Sequence, residues 1–516
     1  MHGAAVRKLR IDMPDCAHPL AAATAASANG CTSESLALHA ERGPFRPEVW
    51  RNARQRSTVR LAAYYFRAAD VVAVVGLAVL ALWSVGSLDV KTLTVGAVLP
   101  LATSLVVALA LLRSLGLYRF GPEPTPLLHL VGVVGIVALA IIAALLVGLG
   151  LDGHGLGPVL PWGLAATVCL AALHGLWRVL AARWRRQGLL SPNIVIVGAT
   201  RNAEALIQRA LDRRDLNVLG VFDDRLARSP DRLAGVPVLG GANALLTHRM
   251  LPYVDRIVLA IDAEAGARVR ELTRRLETLP NPLTVLFDSD TSREAALNRL
   301  AGPSLAEIGA APDDDRRAFA KRVQDLVIGA LALVVFAPVM AAVALAVRLD
   351  SPGPILFRQR RHGFNQETIV VWKFRSMRHC DADATASRQV VADDDRVTRV
   401  GRFIRASSLD ELPQLFNVLR GEMSLVGPRP HAIGMRTGET ESALLVAEYA
   451  HRHRIKPGMT GWAAVRGSRG PVDTEAEVRR RVELDIDYIQ RQSFWLDLWI
   501  ILITIPVLLG DRAAVR

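Results

Sequence analysis

Four long stretches without an acidic or basic side chain follow one another early in this chain of 516 residues. They run over Val71 to Leu88, Thr92 to Leu112, Leu127 to Leu151 and Val159 to Trp177, with only His129 and His174 as titratable residues. A helix needs about 20 apolar residues to cross the hydrocarbon core of a bilayer, and each stretch is close to that length. The sequence therefore predicts a membrane protein whose folded part begins with a four-helix transmembrane bundle over residues 61–186.

The charged residues beside these stretches predict how the bundle is oriented. Basic side chains follow the second and fourth stretches, at Arg113, Arg119, Arg178, Arg183, Arg185 and Arg186. The other side carries Asp89 and Asp152 with only Lys91. Because positively charged segments stay in the cytoplasm, both ends of the bundle are expected there. The stretches hold no carboxylate or arginine at mid-depth, which disfavours a transporter.

Charge and cysteine content constrain the class of protein only weakly. A net charge of +13 suits anionic lipid, nucleic acid and phosphorylated substrates equally well. The four cysteines show neither a pairing pattern nor metal-ligand spacing, so they are read as reduced thiols. Residues 1–60 are rich in Ala, Ser, Arg and Pro and lack the apolar core of a signal peptide, so a disordered cytoplasmic tail is predicted.

Residues 190–290 show a different pattern, in which β-branched runs alternate with helical ones. The runs are Asn193 to Gly198, Leu219 to Phe222, Arg256 to Ile261 and Leu283 to Phe287. Uncharged strands between amphipathic segments predict a parallel, Rossmann-like α/β domain. Gly198 follows the first strand without the two later glycines of the dinucleotide fingerprint, which favours a structural or regulatory domain over an NAD site. The polar residues 291–318 are read as a linker.

A further hydrophobic segment, Leu326 to Val347, is uncharged and long enough to span a bilayer. Pro338 lies near its middle, where the ring removes a backbone donor and is expected to bend the helix sharply. Basic residues flank both ends, at Lys321, Arg322, Arg348, Arg358, Arg360 and Arg361. A kinked spanning helix is one reading. Basic charge on both flanks favours the other, a re-entrant membrane helix hairpin over residues 319–350 that returns to the same face.

Six motifs follow one another in the C-terminal third. They are Ser351 to Pro354, Phe357 to Gly363, Trp372 to Met377, Ser408 to Gln414, Gly421 to Pro430 and Lys456 to Trp462. In this order the set resembles the catalytic domain of the bacterial polyprenyl-phosphate sugar-1-phosphate transferases, over Lys321 to about Leu509. With four spans and a Rossmann-like domain in front, the chain looks like the large undecaprenyl-phosphate glucose phosphotransferases that start exopolysaccharide synthesis. The resemblance implies a C-terminal α/β catalytic domain, residues 351–516, on the cytoplasmic face of the bacterial inner membrane.

Asp410 and Glu411 are adjacent carboxylates just before Pro413. Proline is tolerated in the first helical turn, so the pair is expected at a helix N-terminus, where the dipole and free amides keep carboxylates ionised. Ser408 and Glu411 also match a capping box, so an ordinary helix cap is the structural alternative. The resemblance implies that Asp410 attacks the β-phosphate of a UDP-sugar, forming a phosphosugar-aspartyl intermediate and releasing UMP. Polyprenyl phosphate then attacks that intermediate.

Two anionic substrates at one site also require fixed cations. Arg405 and Arg429 match the family's phosphate-contacting arginines, and Lys373 and Arg375 are further candidates for phosphate or carboxylate pairing. The resemblance assigns Mg²⁺ to Glu411, since this ion takes one or two carboxylates plus phosphate oxygens. Near the end of the chain, Phe494 to Leu509 is short for a span and suits an interfacial helix, with a buried core helix as the alternative.

The chain departs from the family pattern at Ala337, Ala464, Arg466 and Trp499, where serine, glutamine, asparagine and lysine are common. Glucose-1-phosphate is the first choice of transferred group and galactose-1-phosphate the second. The expected partners are the UDP-sugar donor, the undecaprenyl phosphate acceptor and membrane lipid, without nucleic acid and with homo-oligomer formation left open.

Two other functions compete with this reading. A membrane-bound nucleotide-sugar dehydratase is disfavoured by the missing glycines and by the lack of a Tyr-x-x-x-Lys pair. A non-enzymatic membrane scaffold or nucleotide sensor is disfavoured by the intact set of Asp410, Glu411, Arg405 and Arg429.

Overall fold

The computed structural model describes residues 61–85, 95–118, 125–151, 155–186, 189–213, 216–225, 229–260, 266–286, 315–378, 394–437, 440–470 and 472–510. The predicted tail, residues 1–60, and residues 291–314 of the predicted linker lie outside this description. In chain order the described residues form a bundle of four helices, an α/β domain, and a C-terminal domain that begins with a very long helix.

The N-terminal bundle consists of α1 (Ala62–Ser84), α2 (Val95–Ser114), α3 (Pro126–Leu149) and α4 (Val159–Arg186). α2 packs against α3, α3 against α4, and α4 against α1. Val74, Val133 and Trp162 are buried between them, whereas Val72 and Leu164 on the outside are each 72% exposed. Apolar surface of this kind is unfavourable in water, but lipid chains can cover it. The bundle is therefore built for a lipid environment.

By length and composition, four described helices could cross a membrane. They are α1, α3, α4 and the long helix of the C-terminal domain, whereas α2 is apolar over the shorter stretch Val98–Ser114. The predicted bundle is present, and two of its helices are longer than hydropathy suggested. α1 begins at Ala62 rather than Val71, and α4 ends at Arg186 rather than Trp177.

The earlier start of α1 brings a buried carboxylate into the bundle. Asp70 accepts hydrogen bonds from the Tyr118 hydroxyl (2.8 Å) and from Trp177 Nε1 (3.4 Å), and its Oδ2 lies 3.0 Å from His174 Nε2. His174 Nδ1 lies 3.0 Å from His129 Nε2. The prediction that no carboxylate lies at mid-depth was made for the stretch that begins at Val71, and α1 adds Asp70 directly before that stretch. Hydropathy placed the start of the helix after Asp70, but partners from distant parts of the chain satisfy this side chain inside α1.

The middle domain is a six-stranded sheet with helices on both faces. Its strands are β1 (Asn193–Val197), β2 (Asn217–Phe222), β3 (Arg232–Leu233), β4 (Val236–Gly240), β5 (Arg256–Leu259) and β6 (Leu283–Val285), in the spatial order β3-β4-β2-β1-β5-β6. All neighbours are parallel except β3 with β4. Helix α5 (Arg201–Arg213) covers one face, and α6 (Ala242–Leu246) and α7 (Gly266–Leu276) cover the other. β3 was not predicted because it has only two residues, and β4 because it contains Pro237.

The loop after β1 binds the carboxylate of Asp223, which directly follows β2. Gly198 has a φ of 108°, which favours glycine, and the next amide, Ala199 N, donates to Asp223 Oδ2 (2.8 Å). Asp223 Oδ1 accepts a second backbone hydrogen bond, from Arg225 N (2.8 Å). In a dinucleotide site this loop would face the pyrophosphate. The geometry therefore favours the structural or regulatory reading of the domain.

The C-terminal domain begins with α8 (Asp315–Asp350), a helix of 36 residues. It starts within the predicted linker, and Pro338 lies inside it without a gap in the helical run. Proline removes only one helical hydrogen bond, and the turns on both sides retain theirs. The two separate arms of a hairpin are thus not seen, and re-entry into the membrane stays a prediction.

The rest of this domain is built from three two-stranded sheets and short helices. β7 (Leu356–His362) and β8 (Thr368–Phe374) are antiparallel, β9 (Ser424–Val426) and β12 (Gly458–Thr460) are parallel, and β10 (Arg436–Thr437) and β11 (Thr440–Glu441) are antiparallel. The helices are α9 (Arg399–Ala406), α10 (Gln414–Arg420), α11 (Ser442–Leu445), α12 (Trp462–Val465), α13 (Glu475–Arg491) and α14 (Phe494–Gly510). Val371, Val418, Trp462 and Tyr488 share its main core.

A buried polar network joins α8 to α13 and α14. Lys321 Nζ lies 2.7 Å from Asp497 Oδ2, and the Tyr488 hydroxyl donates to Asp497 Oδ1 (2.6 Å). This pairing explains how an acidic residue is accommodated in the apolar helix α14. Trp495 on the same helix is 74% exposed. α14 thus has one face packed on the domain and one apolar face open, as an interfacial helix requires.

Candidate active site

Asp410 and Glu411 lie in a 3₁₀ turn, Leu409–Glu411, directly before α10. Ser408 precedes the turn with a φ of 55°, an uncommon conformation for a residue other than glycine. Its side chain makes no capping hydrogen bond and instead accepts one from Arg469 (3.0 Å). The capping box that Ser408 and Glu411 could have formed is therefore not present, and the Glu411 carboxylate is directed to other partners.

The position of the carboxylate pair depends on a contact between α10 and β8. The Asn417 side chain accepts a hydrogen bond from Trp372 N (3.1 Å) and donates one to the Val370 carbonyl (2.7 Å). It thus pairs with the backbone of β8 in the way that a neighbouring strand would. A third hydrogen bond joins its amide to Glu422 (2.6 Å). Since Asn417 is fully buried, these bonds are protected from water. They fix β8, and with it Lys373, beside the turn that carries Asp410 and Glu411.

The two carboxylates have different partners. Glu411 Oε1 lies 2.8 Å from Lys373 Nζ and 2.5 Å from an Arg429 guanidinium nitrogen. Asp410 Oδ2 lies farther from Lys373 Nζ, at 3.8 Å. The Arg429 side chain remains 42% exposed, so part of its guanidinium fork faces solvent and can meet a phosphate.

The same contacts shift the proton affinities of the two acids in opposite directions. Burial raises the pKa of Asp410 above its ordinary value, and the charges of Lys373, Arg405 and Arg429 only partly offset it. Burial also acts against ionisation of Glu411, but the charges and hydrogen bonds of Arg429 and Lys373 outweigh it and hold the pKa of Glu411 well below its usual range. A pair of acids with separated pKa values is suited to two different roles.

Arg361 is a member of the site that was not among the cations predicted from the sequence to contact phosphate. Its guanidinium donates to the Pro430 carbonyl and to Gln359 Oε1 (2.8 Å). Burial and the charge of Arg429 lower the pKa of Arg361 to about 10, while Glu411 and Asp410 act in the opposite direction. It is therefore still a cation at neutral pH. The antiparallel register pairs Arg361 with Ile369, which puts it on the same face of the hairpin as Lys373.

Arg405 and Arg375 are the other predicted cations, and the structure places them differently. Arg405 lies in the last turn of α9, and its charge acts on Asp410. Arg375 is 3% exposed and donates to the carbonyls of Val347 (3.2 Å), Ser351 (2.6 Å) and Pro352 (2.8 Å). The structure does not bring Arg375 to the carboxylate pair. It binds the carbonyls at the end of α8 instead, because no further helical turn follows there to donate N–H groups to them.

Close backbone contacts at Gly427 and Gly458 support the segment that carries Arg429. A Cβ on Gly427 would lie 2.5 Å from the Lys456 carbonyl oxygen, and one on Gly458 would lie 2.1 Å from Gly427 N. Backbones can approach this closely only without side chains. Behind them the buried Arg452 donates to the Arg429 carbonyl (2.9 Å) and to Asp485 Oδ2 (2.6 Å).

Two of the departures from the family pattern lie around Trp462. The Arg466 guanidinium lies 4.3 Å from the centre of its indole ring, and the Trp499 ring lies 5.8 Å from it. Arg491 lies 5.5 Å from the same ring. Arginine over an indole is a favourable contact, so Arg466 and Trp499 have a packing role at the α12–α14 contact.

The assembled site has an excess of positive charge. Lys373, Arg361, Arg405 and Arg429 act on two carboxylates, which leaves two positive charges available for an anionic ligand. Among the described residues, no three His, Cys, Asp or Glu side chains form a metal-binding group. The arrangement is suited to a phosphorylated substrate that brings its own oxygen ligands.

Family profiles and several known proteins match this chain. The profile of a family described as "Bacterial sugar transferase" matches residues 316–511, and one described as "CoA-binding domain" matches residues 125–285. The "UDP-glucose:undecaprenyl-phosphate glucose-1-phosphate transferase" of Xanthomonas campestris pv. campestris is 36% identical over 393 residues, which are 74% of this chain and 79% of the relative. The protein of that name from Escherichia coli is 33% identical over 352 residues, 67% of this chain and 74% of the relative. The "Undecaprenyl-phosphate glucose phosphotransferase" of Komagataeibacter xylinus is 38% identical over 335 residues, 63% of this chain and 60% of the relative.

The fold and the site define a membrane-associated phosphotransferase enzyme. The chain belongs to the bacterial polyprenyl-phosphate sugar-1-phosphate transferase family, as the motif order predicted.

Proposed function

We propose that the enzyme transfers a hexose-1-phosphate, glucose-1-phosphate in the first place, from a UDP-sugar to undecaprenyl phosphate. The products would be undecaprenyl-diphosphate-sugar and UMP, in the first membrane step of exopolysaccharide synthesis. The names of the relatives support this reaction. The observation that carries it is the buried Asp410–Glu411 pair among four cationic side chains, since a diphosphate needs charge neutralisation and a nucleophile at one place.

The reaction would proceed in two displacements at the β-phosphorus of the donor. An Asp410 carboxylate oxygen forms a bond to this phosphorus, the bond to the bridging oxygen breaks, and UMP leaves with the electron pair. A phosphate oxygen of undecaprenyl phosphate then attacks the same phosphorus, and the Asp410 carboxylate is released. The looser contact of Asp410 with Lys373 supports its role, because Glu411 already makes two close ion pairs. Arg429 and Arg405 would hold phosphate oxygens during both steps.

Mg²⁺ is the cofactor that the family implies, and the donor set fits it. This ion commonly takes one or two protein carboxylates and completes its shell with water and phosphate oxygens. Glu411 would hold it, with Asp410 as the neighbouring carboxylate. Bound there, the ion would neutralise charge on the donor diphosphate. Glu411 would have to exchange at least one of its contacts with Lys373 and Arg429.

The catalytic domain is proposed to lie on the cytoplasmic face of the inner membrane, with α8 entering and leaving the same leaflet. Residues 328–333 of α8 contact the main core of the domain, and residues 340–347 contact a second cluster with Phe374 and Ile404. The segment between them has about six residues, or roughly 9 Å of helix. The hydrocarbon core is about 30 Å thick, so a spanning helix would separate flanks that here contact one domain.

The opposite face of α8 is apolar and open. Val334 is 72% exposed and Leu349 is 77% exposed. A helix with one face on a polar domain and one in lipid lies in the membrane without crossing it.

A donor panel tests the reaction and the sugar. Purified protein is incubated with Mg²⁺, undecaprenyl phosphate and either UDP-glucose or UDP-galactose, and UMP is measured. We expect UMP with UDP-glucose and its loss when EDTA is added. If only UDP-galactose yields UMP, galactose-1-phosphate is the transferred group. No UMP from either donor would refute transfer and favour the scaffold or sensor.

Accessibility labelling tests the membrane position of α8. Single cysteines replace the exposed residues Arg317 and Arg358 in a chain without its four natural cysteines. A membrane-impermeant thiol reagent should label both in inverted vesicles and neither in right-side-out vesicles. Labelling of the two positions from opposite faces would rule out re-entry.

A further inference from the structure

A cavity of about 660 Å³ lies where the N-terminal bundle meets the beginning of α8. Arg67 of α1, Arg113 of α2 and Arg316 of α8 form its charged side, and Phe319, Val323 and Phe494 are part of its apolar side. Tyr64 of α1 stacks on Phe319 with ring centres 5.6 Å apart, which joins bundle and α8 at this point. The cavity shares no lining residue with the carboxylate site. Clustered guanidinium groups beside an apolar wall suit a ligand with an anionic head and an apolar chain.

Buried polar atoms in the cavity wall point to a ligand. Gln324 is 5% exposed, and its Nε2 donates to the Phe494 carbonyl (3.3 Å). Within the described part of the chain, Gln324 Oε1 and Arg67 Nε are buried without a hydrogen-bond partner. Buried polar groups normally find one. A bound molecule with an anionic oxygen and a hydroxyl would satisfy both atoms.

The depth of the cavity matches the level of lipid headgroups. Arg67 lies in the second turn of α1, Arg113 is the last residue but one of α2, and Arg316 is the second residue of α8. These helix ends are the ones that the positive-inside rule assigns to the cytoplasmic surface. From there the apolar wall continues along α8 to Val327 and Ile328. A head at the arginines would therefore have its chain along α8.

We propose that this cavity binds the phosphate head of a membrane lipid. Arg67 and Arg113 contact the phosphate oxygens, Gln324 Oε1 accepts a hydrogen bond from a hydroxyl of the head, and the lipid chain lies against Val323 and Val327. Two sources in such a membrane carry this head, an anionic phospholipid and polyprenyl phosphate. A lipid bound here would stabilise the contact between the bundle and the catalytic domain.

Binding can be measured on the full chain in detergent micelles, without reference to activity. The purified protein is titrated separately with phosphatidylglycerol and with undecaprenyl phosphate, and bound lipid is counted by native mass spectrometry. Arg113→Gln removes an exposed charge from the cavity and should weaken binding about fivefold, the effect of one basic residue at a lipid surface. Arg183→Gln, at the exposed end of α4 outside the cavity, is the matched control and should bind as the parent does.

A second variant tests the apolar wall independently of charge. Ala320 is exposed and lines the cavity, so Ala320→Trp should fill it and reduce lipid binding while all arginines remain. Binding that both cavity variants weaken supports the site, and the lipid that binds identifies its source. The proposal is overturned if neither lipid binds, if both cavity variants bind as the parent does, or if Arg183→Gln loses as much as Arg113→Gln.

Discussion

Lys373 lies between the two carboxylates of the site, with its Nζ 2.8 Å from Glu411 Oε1 and 3.8 Å from Asp410 Oδ2. The lysine therefore helps to keep Glu411 ionised and opposes the rise that burial causes in the pKa of Asp410. Its own position depends on the Asn417 side chain, which hydrogen-bonds β8 to α10. The protonation state of Asp410 is thus linked to the packing of β8 against α10.

Substitution of Lys373 should change the pH dependence of transfer. In the proposed mechanism Asp410 attacks only when deprotonated, so kcat/KM should fall as the pH drops through its pKa, which burial raises above 3.8. Lys373→Met removes a charge that lowers this pKa, so the acidic limb should move to higher pH, and activity should fall about 100-fold or more. Arg402→Met, on the exposed side of α9, is the control. An unmoved acidic limb in Lys373→Met would contradict the assigned contact.

Arg429 should act mainly on the donor. Its guanidinium is partly exposed beside Glu411, where it is expected to contact the donor phosphates. Loss of that contact should therefore weaken binding of the UDP-sugar. Arg429→Gln should raise the KM for the UDP-sugar by about 10- to 100-fold, the range for one hydrogen bond to a charged group. Arg402→Gln should leave that KM unchanged. A loss confined to kcat would place Arg429 at the transition state rather than in substrate binding.

Arg375 should matter for stability and not for substrate binding. Its guanidinium binds carbonyls at the end of α8, and Arg375→Met would leave them without a donor. The free energy of unfolding should fall by about 2–3 kcal/mol, seen as a lower Tm in detergent, with the KM for the donor unchanged. A raised KM at unchanged Tm would restore Arg375 to the phosphate site.

Removing one member of the buried pair Lys321 and Asp497 should destabilise the protein more than removing both. Either Lys321→Met or Asp497→Leu leaves one buried charge unpaired and should reduce stability by about 3–5 kcal/mol. The double variant removes both charges and should recover a large part of that loss. Chemical denaturation of the four proteins completes the cycle. Additive losses would mean that the two side chains do not interact.

Much of the fold could be predicted from local pattern. The long uncharged stretches, the β-branched runs and the Pro338 helix all appear near the expected residues, because hydrophobic periodicity is a local property. Asp70 was missed for the opposite reason. Its partners Tyr118 and His174 are 48 and 104 residues away in the chain, so no local window shows that the carboxylate is satisfied.

The site residues likewise divide into those with a local sequence signal and those whose role depends on the fold. Asp410 and Glu411 could be found from the sequence because they are adjacent, and Arg429 because of its motif. Arg361 and Arg375 could not be told apart, since both are arginines in basic segments. The register of β7 on β8 distinguishes them, placing Arg361 on the face of Lys373, while Arg375 follows the end of β8 and turns to α8. Alternation along a predicted β7–β8 hairpin was the signal that could have identified Arg361.

Covalent trapping tests the central claim most directly. The enzyme is incubated with UDP-glucose labelled in the β-phosphate, without acceptor lipid, then quenched and digested, and the labelled peptide is identified by mass spectrometry. We expect label on the peptide that contains Asp410, its loss on addition of undecaprenyl phosphate, and none with Asp410→Asn. An active enzyme that never carries label on that peptide, or an Asp410→Asn variant that still releases UMP, would contradict the covalent mechanism.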